Sequence, residues 1–315
     1  MKHVVSRVAG KVGIIELHNP PHQFMTTRMV RELDELTERW EQDERVRAIV
    51  ITGAPGDVFI THFSVDELSR SAAMAPEKEL PAPLKRAVTG VFSGIDVAQR
   101  WLEGVPALRK VLESRAPGAL RPLFSLSTIH RVFARLERMN KVVICAINGT
   151  TMGGGCELTL ACDYRLMAEG DYVIGLVEVL GGIIPGAGGT QRLAATVGRA
   201  KALEMMLDGA VLSPREAERA GLITRAVPKE KLLDEALALA ARMATRSPMA
   251  VGGAKRAARV GASLPLDDGL AFERLAFVAC GLHPDAKRHG LAYLSGFRAG
   301  KSAREIFDEL RKAIE

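Results

Sequence analysis

The sequence predicts an α/β fold, and three observations carry that expectation. Strand and helix signals alternate through the first third; a strand, a glycine turn and a helix start follow one another between residues 141 and 161; helical patterns take over beyond Arg199. In the first third, Val12–Leu17 reads as a strand ended by Asn19, Pro20 and Pro21. Ala48–Thr52 reads as a buried strand ended by the turn residues from Gly53 to Gly56. Between them Met29, Leu33, Leu36 and Trp40 recur at helical spacing, with Arg31, Glu32, Asp34 and Glu35 on the other, polar face.

Prolines recur at 76, 81, 83, 106, 117 and 122 within residues 69–128, a stretch too long for a simple loop in a compact domain. We expect a helical insertion or lid there, with short helices over Leu84–Val91 and Val97–Leu112. Lys141–Ile147 is then a buried strand, Asn148–Gly149 a turn, Gly153–Gly155 a glycine turn and Cys156–Ala161 the start of a helix. A second strand over Asp163–Ala168 leads to Gly175–Glu178 and to Pro185–Leu193. Ser213, Pro214 and Glu216 form a capping box with proline at the first helical position, and Leu232–Met243 is a long Ala/Leu helix. The expected organisation is a core over residues 1–210, interrupted by the 69–128 insertion, and a helical C-terminal region over 211–315.

Bulk properties narrow the function classes. A chain of 315 residues, 47% hydrophobic and 25% charged, has the composition of an ordinary globular protein. Its start, Met1 to Arg7, lacks a signal-peptide core, and no apolar stretch approaches the ~20 residues needed to span a bilayer, so we expect a cytoplasmic protein without a membrane partner. Cys145, Cys156, Cys162 and Cys280 show no metal-finger spacing, from which we expect reduced thiols and no structural metal. A formal charge of +6 suits a phosphate-bearing substrate, a membrane surface or nucleic acid. The basic residues are dispersed and aromatics reach only 5%, so nucleic acid is the minor reading.

Three consecutive glycines let backbone N–H groups approach a ligand oxygen without an intervening side chain, although an isolated triplet equally serves a tight turn. Gly181 to Gly186 has the glycine spacing of a phosphate loop, but Ala187 stands where its lysine belongs. No G-x-G-x-x-G with a following acid is present, which excludes both nucleotide motifs. Glu157 is a carboxylate among Cys156, Leu158 and Leu160, on what reads as the first turn of a helix, where a helix dipole alone would account for it. Glu178 lies between Val177 and Val179; burial of such a carboxyl raises its proton affinity and suits it to acid–base work.

Taken together, Asn140–Gly149, Met152–Leu158, Ala161–Asp163, Gly175–Glu178, Pro185–Leu193 and Ser213–Val227 closely resemble the crotonase, or enoyl-CoA hydratase/isomerase, superfamily. Residues 12–68 fit the N-terminal part of the same family. The resemblance implies a spiral of ββα repeats with a helical C-terminal region, assembled as a homotrimer or a dimer of trimers. It implies an acyl-CoA thioester as partner and no separate cofactor, coenzyme A being part of the substrate. By motif, the backbone N–H groups of Phe63 and Gly154 form an oxyanion hole, and Glu157 and Glu178 are the catalytic acids of a 2-trans-enoyl-CoA hydratase. His62, Gly153 and Gly186 are expected against the substrate.

Isomerases of the family commonly keep only the acid matching Glu178, so Glu157 favours hydration over Δ3,Δ2-enoyl-CoA isomerisation or another crotonase reaction. A non-catalytic RNA-binding scaffold is the reading from a different class. Residues 59–68 depart from the family pattern F-x-A-G-A-D-[IL]-x-E-[ML]: His62 replaces glycine, Phe63 alanine and Ser64 aspartate, while Val177 replaces a common proline. Lys287, Arg288, Arg298 and Lys301 are candidates for the coenzyme phosphates.

Overall fold

The computed structural model describes residues 3–72, 81–84, 86, 89–90, 93–94, 97, 111 and 121–314. A six-stranded sheet has the order β1 (Val4–Ala9), β2 (Val12–Leu17), β3 (Ala48–Gly53), β5 (Val142–Ile147), β7 (Tyr164–Ala168), β10 (Arg225–Val227). All its pairs are parallel except the β1–β2 hairpin. A smaller sheet has the order β4 (Val58–Ile60), β6 (Thr150–Met152), β8 (Ile174–Gly175), β9 (Val211–Leu212). Each turn of the chain gives one strand to the large sheet and the next to the small one, as β3–β4, β5–β6 and β7–β8, and this is the expected spiral.

The continuous apolar runs of β2, β3 and β5 follow from burial on both faces. Ile15, Ile49, Ile51, Val143 and Cys145 face one way, into the core shared with α1 (Thr27–Gln42) and α3 (Arg121–Arg138). Their neighbours Ile14, Ala48, Val50 and Ile144 face the other, against Leu232, Ala236 and Ala240 of α8 (Leu232–Met243). A single apolar stripe lets α1 pack as expected, with Met29, Leu33, Leu36 and Trp40 buried.

Asp34 departs from the expected polar face. It is 6% exposed because α3 lays two guanidinium groups against it, Arg131 Nη2 at 2.7 Å and Arg135 Nη1 at 2.8 Å from its carboxylate oxygens. Burial raises the Asp34 carboxyl, and the two arginines more than reverse that, leaving it below its usual value. The pairing locks α3 onto α1.

Helix α3 also runs through residue 128, the far boundary assigned to the insertion, and buries Ile129, Val132, Phe133 and Leu136. Residues 121–128 therefore continue into a core helix. At the other boundary, α2 (Val65–Ala72) spans residue 69. The expected lid and its helices over 84–91 and 97–112 lie largely outside the described residues.

The capping box is formed as read. Ser213 accepts from the Glu216 N–H, and the Glu216 carboxylate accepts from the Ser213 N–H at 2.9 Å. Ser213→Ala is expected to lower stability by ~1 kcal/mol, checked by urea unfolding; an unchanged midpoint would mean that the cap contributes nothing. Among the described residues all four cysteines are free thiols, and no helix is long and apolar enough to cross a membrane.

Candidate active site

Three adjacent parallel strands of the small sheet deliver the site from their carboxyl ends, the usual position for ligands in parallel sheets. Strand β4 runs into Thr61–Phe63, β6 into Gly153–Gly154, and β8 into Leu176–Glu178. A cavity of about 960 Å³ opens where these ends meet. Its wall includes His62, Phe63, Gly153, Gly154, Glu157, Glu178 and Gly186, the residues expected around the reacting thioester. Leu126 and Ile129 of α3, with Ile183 and Ile184, give it an apolar side.

The backbones of Phe63 and Gly154 meet at the cavity wall. Phe63 pairs with Met25 through its neighbours, Met25 N–H donating to His62 O and Ser64 N–H to Met25 O, so its own N–H points the opposite way. Gly154 is the second residue of α4 (Gly153–Leu160), whose first-turn N–H groups have no intrahelical acceptor and no side-chain cap. Among the described residues neither amide has a partner. Phe63 N lies 3.4 Å from the point where a Cβ on Gly154 would stand.

The glycine triplet is thus the first turn of α4 itself and not a turn preceding it. Glycine is a poor helix former, but here the close approach of β4 decides: a Cβ on Gly155 would strike the Ile60 carbonyl oxygen. Glu157 accordingly sits one turn deeper than the sequence suggested, beyond the reach of a simple N-terminal dipole explanation.

Glu157 is 3% exposed, and its Oε1 accepts two backbone N–H groups, Ala187 at 2.8 Å and Gly189 at 2.7 Å. Burial pushes its pKa up to about 7 with help from the Glu178 charge, while the Gly189 and Ala187 amides and Arg192 pull the other way. Glu178 stands at the head of a 3₁₀ turn, Glu178–Gly181. Burial raises its carboxyl too, against the Glu178 and Val177 amides and the His62 charge. Its Oε2 is buried with no hydrogen-bond partner among the described residues.

His62 Cβ and Glu178 Oε1 both lie within 3.3 Å of the point where a Cβ on Gly153 would stand, so the three residues form one corner of the cavity. The imidazole is oriented: Nδ1 donates to Phe63 O at 2.8 Å, and the ring stacks on Phe24 with centroids 4.8 Å apart.

The amides that hold Glu157 were not singled out from the sequence. Their signal was the glycine cluster Gly186, Gly188 and Gly189, whose backbone serves a carboxylate of the chain itself. A Cβ on Gly189 would stand 2.8 Å from Glu157 Oε1. Gly189→Ala is therefore expected to displace the carboxylate and lower turnover roughly 10-fold or more with the fold retained, read as kcat beside a circular-dichroism melt. Parent turnover would mean that this turn does not set the position of Glu157. Of the phosphate candidates, Arg288 is paired with Asp285 and Lys301 with Glu309, and none of the four lines the cavity.

A family profile described as enoyl-CoA hydratase/isomerase matches residues 124–296, more than half of the chain and most of this site. The chain belongs to the crotonase family. A probable enoyl-CoA hydratase of Rhizobium meliloti (strain 1021) is 30% identical over 292 residues, covering 92% of this chain and 94% of that protein. A probable mitochondrial enoyl-CoA hydratase of Dictyostelium discoideum is 30% identical over 269 residues, 85% of this chain and 79% of that one. Among solved structures, an enoyl-CoA hydratase from Bacillus anthracis superimposes with a TM-score of 0.72 at 26% identity, covering 95% of this chain and 97% of that one. The two-sheet spiral with its helical C-terminal region is the crotonase fold.

Proposed function

We propose that this crotonase adds water to the double bond of a 2-trans-enoyl-CoA, giving the 3-hydroxyacyl-CoA. The observation that supports the reading is the presence, in one cavity, of two carboxyl groups of raised proton affinity beside two neighbouring backbone amides without a partner among the described residues. The thioester oxygen accepts from the Phe63 and Gly154 N–H groups, each donor worth ~3 kcal/mol against the negative charge that develops there. Glu157, ionised, takes a proton from water as its oxygen bonds to the β-carbon. The electron pair of the double bond moves onto the thioester as an enolate, and Glu178, protonated, delivers a proton to the α-carbon. The sum is one water added, with the two carboxyl groups left to exchange one proton with solvent.

Glu157 also separates hydration from double-bond isomerisation, which needs one carboxylate to shuttle a proton and no second group to activate water. Product analysis after incubation with 2-trans- and 3-enoyl-CoA thioesters of graded chain length tests the reading: 3-hydroxyacyl products from the 2-enoyl series are expected. Double-bond migration alone would assign the isomerase reaction, and release of free coenzyme A a hydrolase.

A homotrimer or a pair of trimers is the assembly we propose. Its support is the apolar surface of the C-terminal helices, where Leu266, Phe277 and Leu282 are 77%, 77% and 82% exposed in the single chain. A monomer in sedimentation would remove it.

A further inference from the structure

A turn of two glycines separates the Glu157 carboxylate from a guanidinium. On one side, Ala187 and Gly189 donate their N–H groups to Glu157 Oε1. On the other, the Ala187 carbonyl oxygen accepts from Arg192 Nη1 at 2.6 Å, and a Cβ on Gly188 would fall on that guanidinium. Gly188 also takes a φ of +97°, so the tight turn and the close approach require glycine for separate reasons. The arginine thus holds the peptide unit that lies between the two whose N–H groups fix the carboxylate.

Arg192 is in turn held from beneath. Its Nη2 donates to Glu137 Oε2 at 2.7 Å, and its guanidinium carbon lies 5.7 Å from the centroid of the Phe133 ring, both residues on α3. Glu137 Oε1 accepts from Arg259 Nη1 at 2.7 Å, and Arg259 Nη2 reaches Asp163 Oδ1 at 3.2 Å. Asp163 Oδ2 is paired with Lys255 Nζ at 2.7 Å. Burial acts to raise the Glu137 carboxyl, but Arg192 and Arg259 hold it below its usual value. Charges of alternating sign therefore run from α9 (Pro248–Arg259), through α3, to the turn under Glu157.

The geometry assigns Arg192 as a positioning residue for Glu157, with Glu137 as its anchor. The assignment rests on the hydration chemistry proposed above for Glu157. The planar fork of arginine spans the Ala187 carbonyl and the Glu137 carboxylate together, which the point charge of a lysine does not. Among the described residues, the groups whose charge acts most on Glu157 are Glu178 from the 3₁₀ turn and Arg192 from the helix Gly189–Val197, with the Cys156 thiol beside it on α4. Arg192 is the cation of that set, so its loss favours the protonated form of Glu157.

The test compares the parent with Arg192→Gln, Arg192→Lys and Glu137→Gln, using kcat and KM for a 2-enoyl-CoA across pH, thermal melts, and ¹³C-glutamate NMR titration of Glu157 assigned with Glu157→Gln. Arg192→Gln is expected to lower kcat roughly 10- to 100-fold with KM little changed. The acid limb of the rate profile and the Glu157 titration should both move to higher pH. Arg192→Lys should return the limb toward its parent position while kcat stays low, and Glu137→Gln, which keeps the cation but frees it from its anchor, should give a smaller loss of kcat without the upward shift.

A folded Arg192→Gln protein with the parent's limb and the parent's Glu157 titration would overturn the assignment. So would a loss that is equal at every pH and accounted for by unfolded protein. If Arg192→Gln does not fold, parent-like turnover in folded Glu137→Gln overturns it instead. A parent protein that hydrates no enoyl-CoA sinks the proposed function, and the NMR titration still decides whether Arg192 holds Glu157.

Discussion

Glu157→Gln is expected to reduce hydration of a 2-enoyl-CoA by at least ~100-fold in kcat, the lower end of what general acid–base catalysis supplies. Glutamine keeps the size of the side chain and can still accept the Ala187 and Gly189 N–H groups, but it cannot take a proton from water. Substrate binding should survive, because the amides proposed to hold the thioester oxygen belong to the backbone. In the parent protein the same residue should place the acid limb of kcat/KM near pH 7, below which Glu157 is protonated. Parent-rate hydration by the variant would exclude Glu157 as the base.

The substitution should also stabilise the protein, in a direction fixed by the raised pKa. Folding moves the Glu157 carboxyl from 4.5 to about 7, so between those values the folded state holds more protons than the unfolded one and stability falls as pH rises. Above about pH 7 the whole penalty is present, at most ~3 kcal/mol from the size of the shift. Glu157→Gln removes it, so urea unfolding should show the variant more stable than the parent at pH 8, with the difference shrinking toward pH 4. A difference independent of pH would mean that the carboxyl is not strained by burial. A group that costs stability where it serves chemistry is the expected compromise of an active site.

Glu178→Gln is expected to cost hydration by a similar factor and, unlike the first change, to suppress exchange of the α-proton with solvent deuterium. Its raised proton affinity and unpartnered Oε2 fit a group that carries a proton to a carbon acceptor. Pairing the two variants separates the roles. If Glu157→Gln loses hydration yet still moves a 3-enoyl double bond, Glu178 alone sustains proton transfer; if Glu178→Gln retains full α-exchange, another group faces the α-carbon.

Local patterns made the strands, the helix α1 and the capping box readable, because apolar runs and turn residues act within a few positions. The glycine triplet and both glutamates were likewise visible as chemistry out of place in apolar surroundings. What the sequence concealed was pairing over long distances. Asp34 looked like a solvated residue of α1 until α3 set Arg131 and Arg135 against it, about a hundred positions away. Glu157 depends on amides 30 and 32 positions later, and a backbone donor leaves no mark in residue identity. Arg192 is a basic residue like many others until Ala187 and Glu137 are brought to its two ends. The helix boundary at 121 was obscured by Pro122, which sits in the first turn, where a missing N–H costs nothing.

In the proposed reaction this cavity joins water to an enoyl thioester. Incubating the purified protein with a short 2-trans-enoyl-CoA in H₂¹⁸O, with Glu157→Gln alongside, and weighing the product by mass spectrometry tests it most directly. The expected result is a 3-hydroxyacyl-CoA carrying one ¹⁸O on its hydroxyl, formed by the parent and at least ~100-fold more slowly by the variant. Unlabelled enoyl-CoA with a displaced double bond, a labelled free acid with released coenzyme A, or no turnover would contradict it.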